Sequence, residues 1–425
     1  MKVCVLTLGC KVNAYESEYI KEQFINKNYN IVDLNEEPNI VVINTCTVTN
    51  QSDAKSRKLI RLARRNNPEC ILVVCGCSSE HHKENLLDLS VDILIGNYNK
   101  SKIVDLVEDY QKNKCKHIDF PDMMKVPFEN MEIKKFMNRT RGFVKIQDGC
   151  NNYCSYCIIP YMRGNCRSKD IMAAYNEIKE LVNNGYKEIV LTGIHTGHYG
   201  EDKDYDLVDL IRLITPLEGL KRIRISSIEI TEITDKFIEE LKNNKKLCSH
   251  MHIPLQSGSN NILKLMNRKY TKEEFIKIIE NLRNVRTDIS ITTDLIVGFP
   301  YETNELFEET IETIKKINFT KIHVFPYSKR SNTEAANMPY QVDEKIKKER
   351  VNKILELSAS LERQYYEKFI DNEVEVLIED GNVGLTDNYI KVKLDKNYNN
   401  GEILNVKVTK VDNNSVYGEE KFAQN

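Results

Sequence analysis

Along the first hundred residues, continuous apolar runs alternate with segments of helical spacing. Residues 1–8 are apolar enough for a buried strand and stop at Gly9-Cys10. Residues 15–28 place Tyr19, Ile20, Phe24 and Ile25 on one helical face. A second buried run, residues 40–43, stops at Asn44-Thr45-Cys46. The spacing over 52–67 predicts a helix. Residues 71–75 form a third run, closed by Gly76-Cys77, and residues 91–95 a fourth. Such alternation predicts a doubly wound parallel sheet, helices on both faces. Sites in these sheets form beyond the carboxyl ends of the strands. Cys10, Cys46 and Cys77 each fall at such an end, so residues distant in sequence can converge.

The stretch 113–141 has little periodicity and reads as a crossover. From residue 142 the strand–helix pattern resumes. Strands are predicted near 143–147, 188–192, 222–226, 249–254, 290–296 and 321–326, with amphipathic helices such as 173–183 and 272–283 between them. Six units without a seventh and eighth predict a partial (β/α)6 barrel. Barrel chemistry sits at the C-terminal strand ends. There the chain carries Thr192-Gly193, Ser226, Ser227, Glu229, Gln256 and Asp294. Residues 343–371 read as a charged connector helix with a thin apolar stripe of Ile346, Val351, Ile354, Leu355, Leu357 and Leu361. From 373 to 421 the period becomes two, with Gly/Asn turns, which predicts a small all-β barrel. The chain is thus an α/β protein with expected units at 1–112, 136–342, 343–371 (connector) and 373–421.

Charge and cysteine usage narrow the chemistry. The 425 residues carry 61 Lys+Arg against 63 Asp+Glu, so nucleic-acid contact must rest on local patches. One such patch is the 52–67 helix, where Arg57, Lys58, Arg61, Arg64 and Arg65 share a third of the circumference; a solvated face is the plainer reading. No apolar run approaches membrane-span length, and the N-terminal run is too short for a signal peptide. The 12 cysteines then point to metal ligation in a reducing, cytoplasmic setting. Three of them, Cys150, Cys154 and Cys157, lie on a tight loop after a strand, with Gly149 as the turn. Soft thiolates in that arrangement select zinc or an iron–sulfur cluster. A structural zinc wants four ligands, and no fourth Cys or His lies at short spacing. Three ligands suit a cubane with one open iron. His195 and His198 form a possible metal pair without a third ligand.

The wording C-N-N-Y-C-S-Y-C-I-I-P-Y-M-R-G, with Tyr156 as the aromatic before Cys157, resembles the radical S-adenosylmethionine (AdoMet) methylthiotransferases. TLGCKVNAYESE, NTCTVTN, HIPLQSGS, LMNRKYT, DLIVGFPYET and HVFPYSKRSNTEA extend the resemblance over nearly the whole chain. It implies two [4Fe–4S] clusters. Cys150, Cys154 and Cys157 would hold the one that chelates AdoMet. Cys10, Cys46 and Cys77 would hold an auxiliary one carrying the sulfur to be transferred. Cys75 competes with Cys77; the Gly before Cys77 favours Cys77. Cys4, Cys70, Cys75, Cys115, Cys166 and Cys248 are read as structural. Tyr156, Thr192, Gly193, Ser227, Glu229, Gln256 and Asp294 would bind AdoMet. SSIEI departs from the family's Ser-Ser-Ile-Glu-Pro, with Ile230 in place of Pro. The terminal barrel resembles a TRAM domain, but acidic residues outnumber basic ones from 373 to 421. An RNA face there would rest on Lys391, Lys393, Lys407 and Lys410.

Three branches of the family share this architecture. Two modify the tRNA adenosine 3′ of the anticodon, carrying either threonylcarbamoyl or isopentenyl on N6; the third modifies a ribosomal-protein aspartate. Lys11-Val12-Asn13 and Gly193-Ile194-His195 resemble the threonylcarbamoyladenosine branch. That implies the tRNA anticodon stem-loop as substrate, with Arg57, Arg61, Arg64, Arg163, Arg167 and Arg330 as candidate contacts. A flavodoxin- or ferredoxin-type electron donor and a sulfur donor are implied as partners. Two rival readings are an RNA-binding protein with structural zinc and a radical AdoMet enzyme acting on protein.

Overall fold

The computed structural model describes residues 1–137 and 139–421. Its first sheet holds β1 (Lys2–Thr7), β2 (Asn30–Ile31), β3 (Ile40–Thr45), β4 (Ile71–Gly76), β5 (Ile93–Ile95) and β6 (His117–Asp119). All are parallel, in the order β2-β1-β3-β4-β5-β6. Strand residues alternate between two apolar layers. Val3, Ile40, Val42 and Val73 meet Ile20 and Phe24 of helix α1 (Lys11–Asn26). Cys4, Val41, Ile43 and Leu72 meet Ile60 and Ala63 of helix α2 (Asn50–Asn66). Thr49 caps α2 by accepting from the Ser52 N–H, with Asp53 in the first turn and Arg64 and Arg65 in the last. The strand β6 falls inside the stretch read as an irregular crossover. It has three residues, none buried, too few to show a period.

The second unit follows the predicted pattern closely. Its strands are β7 (Gly142–Lys145), β8 (Gln147–Asp148), β9 (Arg167–Ser168), β10 (Glu188–Thr192), β11 (Arg222–Ile225), β12 (His250–His252), β13 (Ser290–Val297) and β14 (Lys321–Pro326). Parallel sheets β11-β10-β7 and β12-β13-β14 are joined through an Ile223–Leu247 bridge. Among the described residues no ladder returns β14 to β7, so the barrel is open along that seam. Ile189, Leu191, Ile223, Ile225, Met251, Ile291 and Leu295 join the main core. Their alternates turn to the lumen, which is polar. There Arg224 Nε donates to Glu188 (2.6 Å), and His252 lies 3.0 Å from Thr292 and 3.3 Å from Asp294.

The helix Glu344–Glu367 is more than a connector. Its Ser358 Oγ accepts the Ile322 N–H of β14 at 2.9 Å, and Ile354 and Leu361 are buried; Ile346 and Leu355 of the predicted stripe are exposed. Strands β15 (Glu373–Asp380), β16 (Val383–Thr386), β17 (Lys391–Leu394), β18 (Ile403–Asp412) and β19 (Ser415–Glu420) close into a barrel. This barrel docks against the lumen of the second unit. Arg222 reaches the Glu375 and Leu385 carbonyls (2.7 and 2.9 Å), Arg224 the Asp387 carbonyl (2.8 Å), and Arg141 the Glu379 carboxylate (2.7 Å). The Tyr389 ring stacks on His250 at 4.4 Å. Part of the acidic excess of 373–421 therefore faces inward. Of the four lysines proposed for RNA, Lys407 pairs with Asp371 and Lys410 with Asp412. Among the described residues no helix is long and apolar enough to cross a membrane.

Candidate metal centres and the space between them

Three loops at the strand ends of the first sheet carry the first thiol triad. Gly9 packs against Cys46 so tightly that an added Cβ would lie 2.9 Å from Cys46 Cβ and 3.0 Å from its Sγ. Gly76, at φ +98°, would put a Cβ 2.6 Å from both Asn44 Oδ1 and the Thr45 carbonyl, so glycine alone turns β4 into the short helix α3 (Cys77–His81). Cys46 and Cys77 are buried and Cys10 is exposed. The three thiols lie within electrostatic reach of one another; burial pushes Cys46 up, surrounding protein pushes Cys10 up against the opposing Arg163, and the neighbouring thiols add to both. Cys75 points instead into the apolar layer beneath the sheet and is fully buried.

The second triad sits on the loop between β8 and the helix Ile159–Arg163. Segments far along the chain pin it. The Ser155 N–H and hydroxyl donate to the Met266 and Leu265 carbonyls (3.1 and 2.7 Å), and the Ala335 N–H donates to the Ser155 carbonyl (2.8 Å). Burial pushes all three thiols up, Cys157 to about 12. Ligation of a metal would remove those protons. Neither triad draws its sulfurs within 4.8 Å of one another among the described residues. A single zinc at about 2.3 Å from each sulfur would require that; a cubane, holding each thiolate on a separate iron, spreads them wider. The donor sets therefore fit iron–sulfur cubanes. The two triads adjoin, because Cys77 packs on Ile158 and Met162 just after Cys157.

Around the second triad the structure gathers several predicted cofactor residues. The Tyr156 ring meets Phe299 edge-on. Glu229 is ion-paired with Arg268, whose Nη1 lies 3.3 Å from Cys154 Sγ. Arg268 belongs to the LMNRKYT motif, but nothing in the sequence singled it out. Ile230 is buried, and Glu229 and Glu232 form a reciprocal cap, so the missing proline leaves an ordered turn. Thr192 is buried with Oγ1 lacking a partner. A side chain at Gly193 would strike Gln147 Oε1 at 2.8 Å. Gln256 takes a left-handed backbone (φ 63°) and donates its N–H to the Asp294 carbonyl at 2.9 Å. Ser227 is half-buried at the end of β11. The His195–His198 pair does have a third partner. Glu232 pairs with both, and His195 Nδ1 lies 3.7 Å from Cys150 Sγ. Cys166 Sγ lies 3.2 Å from Gln147 Nε2 as a buried structural thiol, whereas Cys115, read as structural, is exposed.

Most of the arginines proposed to meet tRNA are engaged elsewhere. Arg163 is fully buried, bonded to Glu16 and Asp148 (both 3.0 Å) and Asn13 (2.6 Å). Burial alone would raise the Glu16 carboxyl, but Arg163, Lys100 and Lys145 hold it well below the carboxylate range. Arg167 is buried on the Met123 and Asn165 carbonyls. Arg330 is buried against Asp53, Asn50 and Thr47. On α2, Arg64 caps the Ser90, Pro68 and Cys70 carbonyls and pairs with Asp92. Arg61 is exposed and Arg57 half-buried, so a reduced basic face remains. One cation that the sequence places in a branch motif, but not among the candidate RNA contacts, is different. Lys11 is exposed, yet protein surrounds its ammonium. That enclosure pushes its ammonium down to about 8, with Arg141 and Arg224 adding and Asp294 opposing.

Residues 144–314 match the Radical SAM superfamily and residues 2–96 the Uncharacterized protein family UPF0004. The chain is 44% identical to the threonylcarbamoyladenosine tRNA methylthiotransferase MtaB of Bacillus subtilis, over 95% of this chain and 93% of that one. It is 38% identical to the protein of the same name from Aquifex aeolicus, over 96% and 100%. The tRNA-2-methylthio-N(6)-dimethylallyladenosine synthase of Alkaliphilus oremlandii is 33% identical, over 89% and 82%. Among solved structures, the radical S-adenosylmethionine methyltransferase TsrM of Kitasatospora setae shares the fold. Its TM-score is 0.60 at 13% identity, covering 79% of this chain and 77% of that one. Two adjoining thiol triads, one on the strand ends of a parallel sheet and one on the first loop of a partial barrel, agree with these matches, and the chain belongs to the radical SAM methylthiotransferase family.

Proposed function

We propose that this chain adds a methylthio group to C2 of N6-threonylcarbamoyladenosine beside the anticodon of tRNA, using two [4Fe–4S] clusters and AdoMet. The observation that carries this reading is the pair of adjoining thiol triads in a chain 44% identical, nearly end to end, to a threonylcarbamoyladenosine tRNA methylthiotransferase. When bound, the clusters and AdoMet supply the one-electron chemistry and the sulfur that no side chain here provides. The residues hold and orient. Cys150, Cys154 and Cys157 would ligate one cluster and Cys10, Cys46 and Cys77 the other, with Cys10 on the open side. Glu229, fixed by Arg268 beside Cys154, and Thr192, whose hydroxyl has no partner among the described residues, would be polar partners for AdoMet; Tyr156, Gly193, Ser227, Gln256 and Asp294 would complete that set.

Work divides among the units 1–112, 136–342 and 373–421, with the helix at 343–371 bracing the last against the second. The exposed part of α2 tracks phosphates. The TRAM-like barrel adds little beyond Lys391 and Lys393 to RNA binding. A flavodoxin- or ferredoxin-type donor supplies electrons, a separate donor supplies sulfur, and the enzyme works in the cytoplasm where its tRNA resides. The test is direct. Reconstituted enzyme, AdoMet and reductant are incubated with tRNA bearing threonylcarbamoyl, with tRNA bearing isopentenyl, and with ribosomal protein. Methylthio product from the first alone is expected; product from only one of the others refutes the substrate.

A further inference from the structure

We infer that Lys11 binds the carboxylate of the threonylcarbamoyl group and so sets the preference for that nucleoside; this rests on the substrate reading above. Three observations lead there. First, the other cations bordering the junction of the two triads are engaged. Lys100, Lys145, Arg163, Arg167, Arg268 and Arg330 are all buried or nearly so, with carboxylate or carbonyl partners. Lys11 makes no ion pair or hydrogen bond among the described residues, and its side chain is exposed. Second, its field is unbalanced. Arg141 and Arg224 stand within charge reach, and Asp294 is the one carboxylate among the groups that act on it. Arg141 and Arg224 already bind Glu379 and Glu188. A carboxylate arriving at Lys11 meets an ammonium that holds no ion-pair partner among the described residues, with Asp294 the only opposing charge acting on it.

Third, the position matches the chemistry of the ligand. Lys11 directly follows Cys10, the most open thiol of the first triad. In threonylcarbamoyladenosine the second urea N–H folds back onto N1. The amino-acid end, with its carboxylate, therefore lies along the same edge of the base as C2. A long, flexible ammonium next to the open thiol can meet that carboxylate while C2 faces the triad. An isopentenyl group in the same place offers no charge and leaves the ammonium unpaired and desolvated.

The experiment uses holoenzyme and fluorescent anticodon stem-loops carrying threonylcarbamoyladenosine, its carboxyl methyl ester, or plain adenosine. Affinities are read by anisotropy for wild type, K11M and K11R; K11Q replaces K11M if the latter fails to load iron. Wild type should prefer the free carboxylate over the ester by roughly 10- to 100-fold, the range of one charged hydrogen bond. K11M should bind both alike, and K11R should recover most of the preference. The cycle isolates the contact from general folding effects. Iron-loaded K11M that keeps the wild-type preference overturns the assignment of Lys11 alone. Wild type indifferent to the ester overturns carboxylate recognition without any mutant. Wild type that converts none of the threonylcarbamoyl RNA overturns the substrate reading itself.

Discussion

Asn13 Oδ1 accepts a 2.6 Å hydrogen bond from Arg163 Nη2, joining residues 150 positions apart. The Asn13 amide also donates to the carbonyls of Leu8 (2.8 Å) and Thr45 (2.9 Å), which precede Cys10 and Cys46. Arg163 ends the helix that follows Cys157. One side-chain pair thus fixes the two triads relative to each other. Arg163→Met leaves Glu16 and Asp148 as buried carboxylates short of a partner, a loss of about 3–5 kcal/mol. A lowered melting temperature and faster proteolysis between residues 113 and 141 are expected. An unchanged melt would show that the network does not hold the units together.

Iron content separates the triads. Reconstituted wild type should hold about eight irons in two cubanes. Alanine at Cys150, Cys154 and Cys157 should halve that and abolish AdoMet cleavage. Alanine at Cys10, Cys46 and Cys77 should halve it but leave cleavage measurable while stopping methylthio product. Cys75→Ala should keep all the iron and cost about 1 kcal/mol for the small void it leaves in the apolar layer. Loss of iron from Cys75→Ala would reverse the choice between the two cysteines.

The basic helix makes a divided prediction. Arg57→Gln with Arg61→Gln should weaken tRNA binding and flatten its salt dependence by about 0.7–0.9 for each phosphate no longer met. Arg64→Gln should leave the slope alone and lower stability by about 1–3 kcal/mol, because its guanidinium holds three carbonyls and Asp92. An unchanged slope in the double variant would make α2 a solvated face.

Docking of the terminal barrel should depend on acid. Burial alone would raise Glu188, but Arg224, Arg141 and Arg222 hold it below the usual carboxylate value. Its folded value lies under its unfolded one, so its stabilisation is fully present above about pH 4.3. It is lost as pH falls through the folded value. Arg222 and Arg224, which Glu188 orients, bind the Glu375, Leu385 and Asp387 carbonyls. Limited proteolysis between pH 3 and 7 should release 373–421 only at the acid end for wild type, and at higher pH for Glu188→Gln. Identical profiles would exclude Glu188 from the docking.

The strands are legible in the sequence because parallel, doubly covered strands are unbroken apolar runs, and the residues closing those runs mark one edge of a sheet. That logic alone brings Cys10, Cys46 and Cys77 to a common edge. Arginine roles are not legible. Proximity to a motif says nothing about pairing, and partners of Arg163 and Arg330 lie as far as 150 and 283 residues away. The same gap hides Glu232 behind His195 and His198, and Tyr389 behind His250. Lys11 is visible as a letter in a tripeptide, but its isolation from other anions emerges only in three dimensions.

The open seam of the second barrel has a consequence for how the molecule is made. The first unit touches both margins of that seam, through Glu16 on Lys145 of β7 and through Asp53 on Arg330 just past β14. The β7 margin can be met once residue 145 has been synthesised, but the β14 margin stays open until residue 330 has. Cys77, the last thiol of the first triad, emerges some 250 residues earlier. At about 5–20 residues per second, the first unit waits tens of seconds for its contact with the β14 margin on every nascent chain. A metal centre that oxygen destroys is best inserted after release from the ribosome, when the second unit has become the wall of the first.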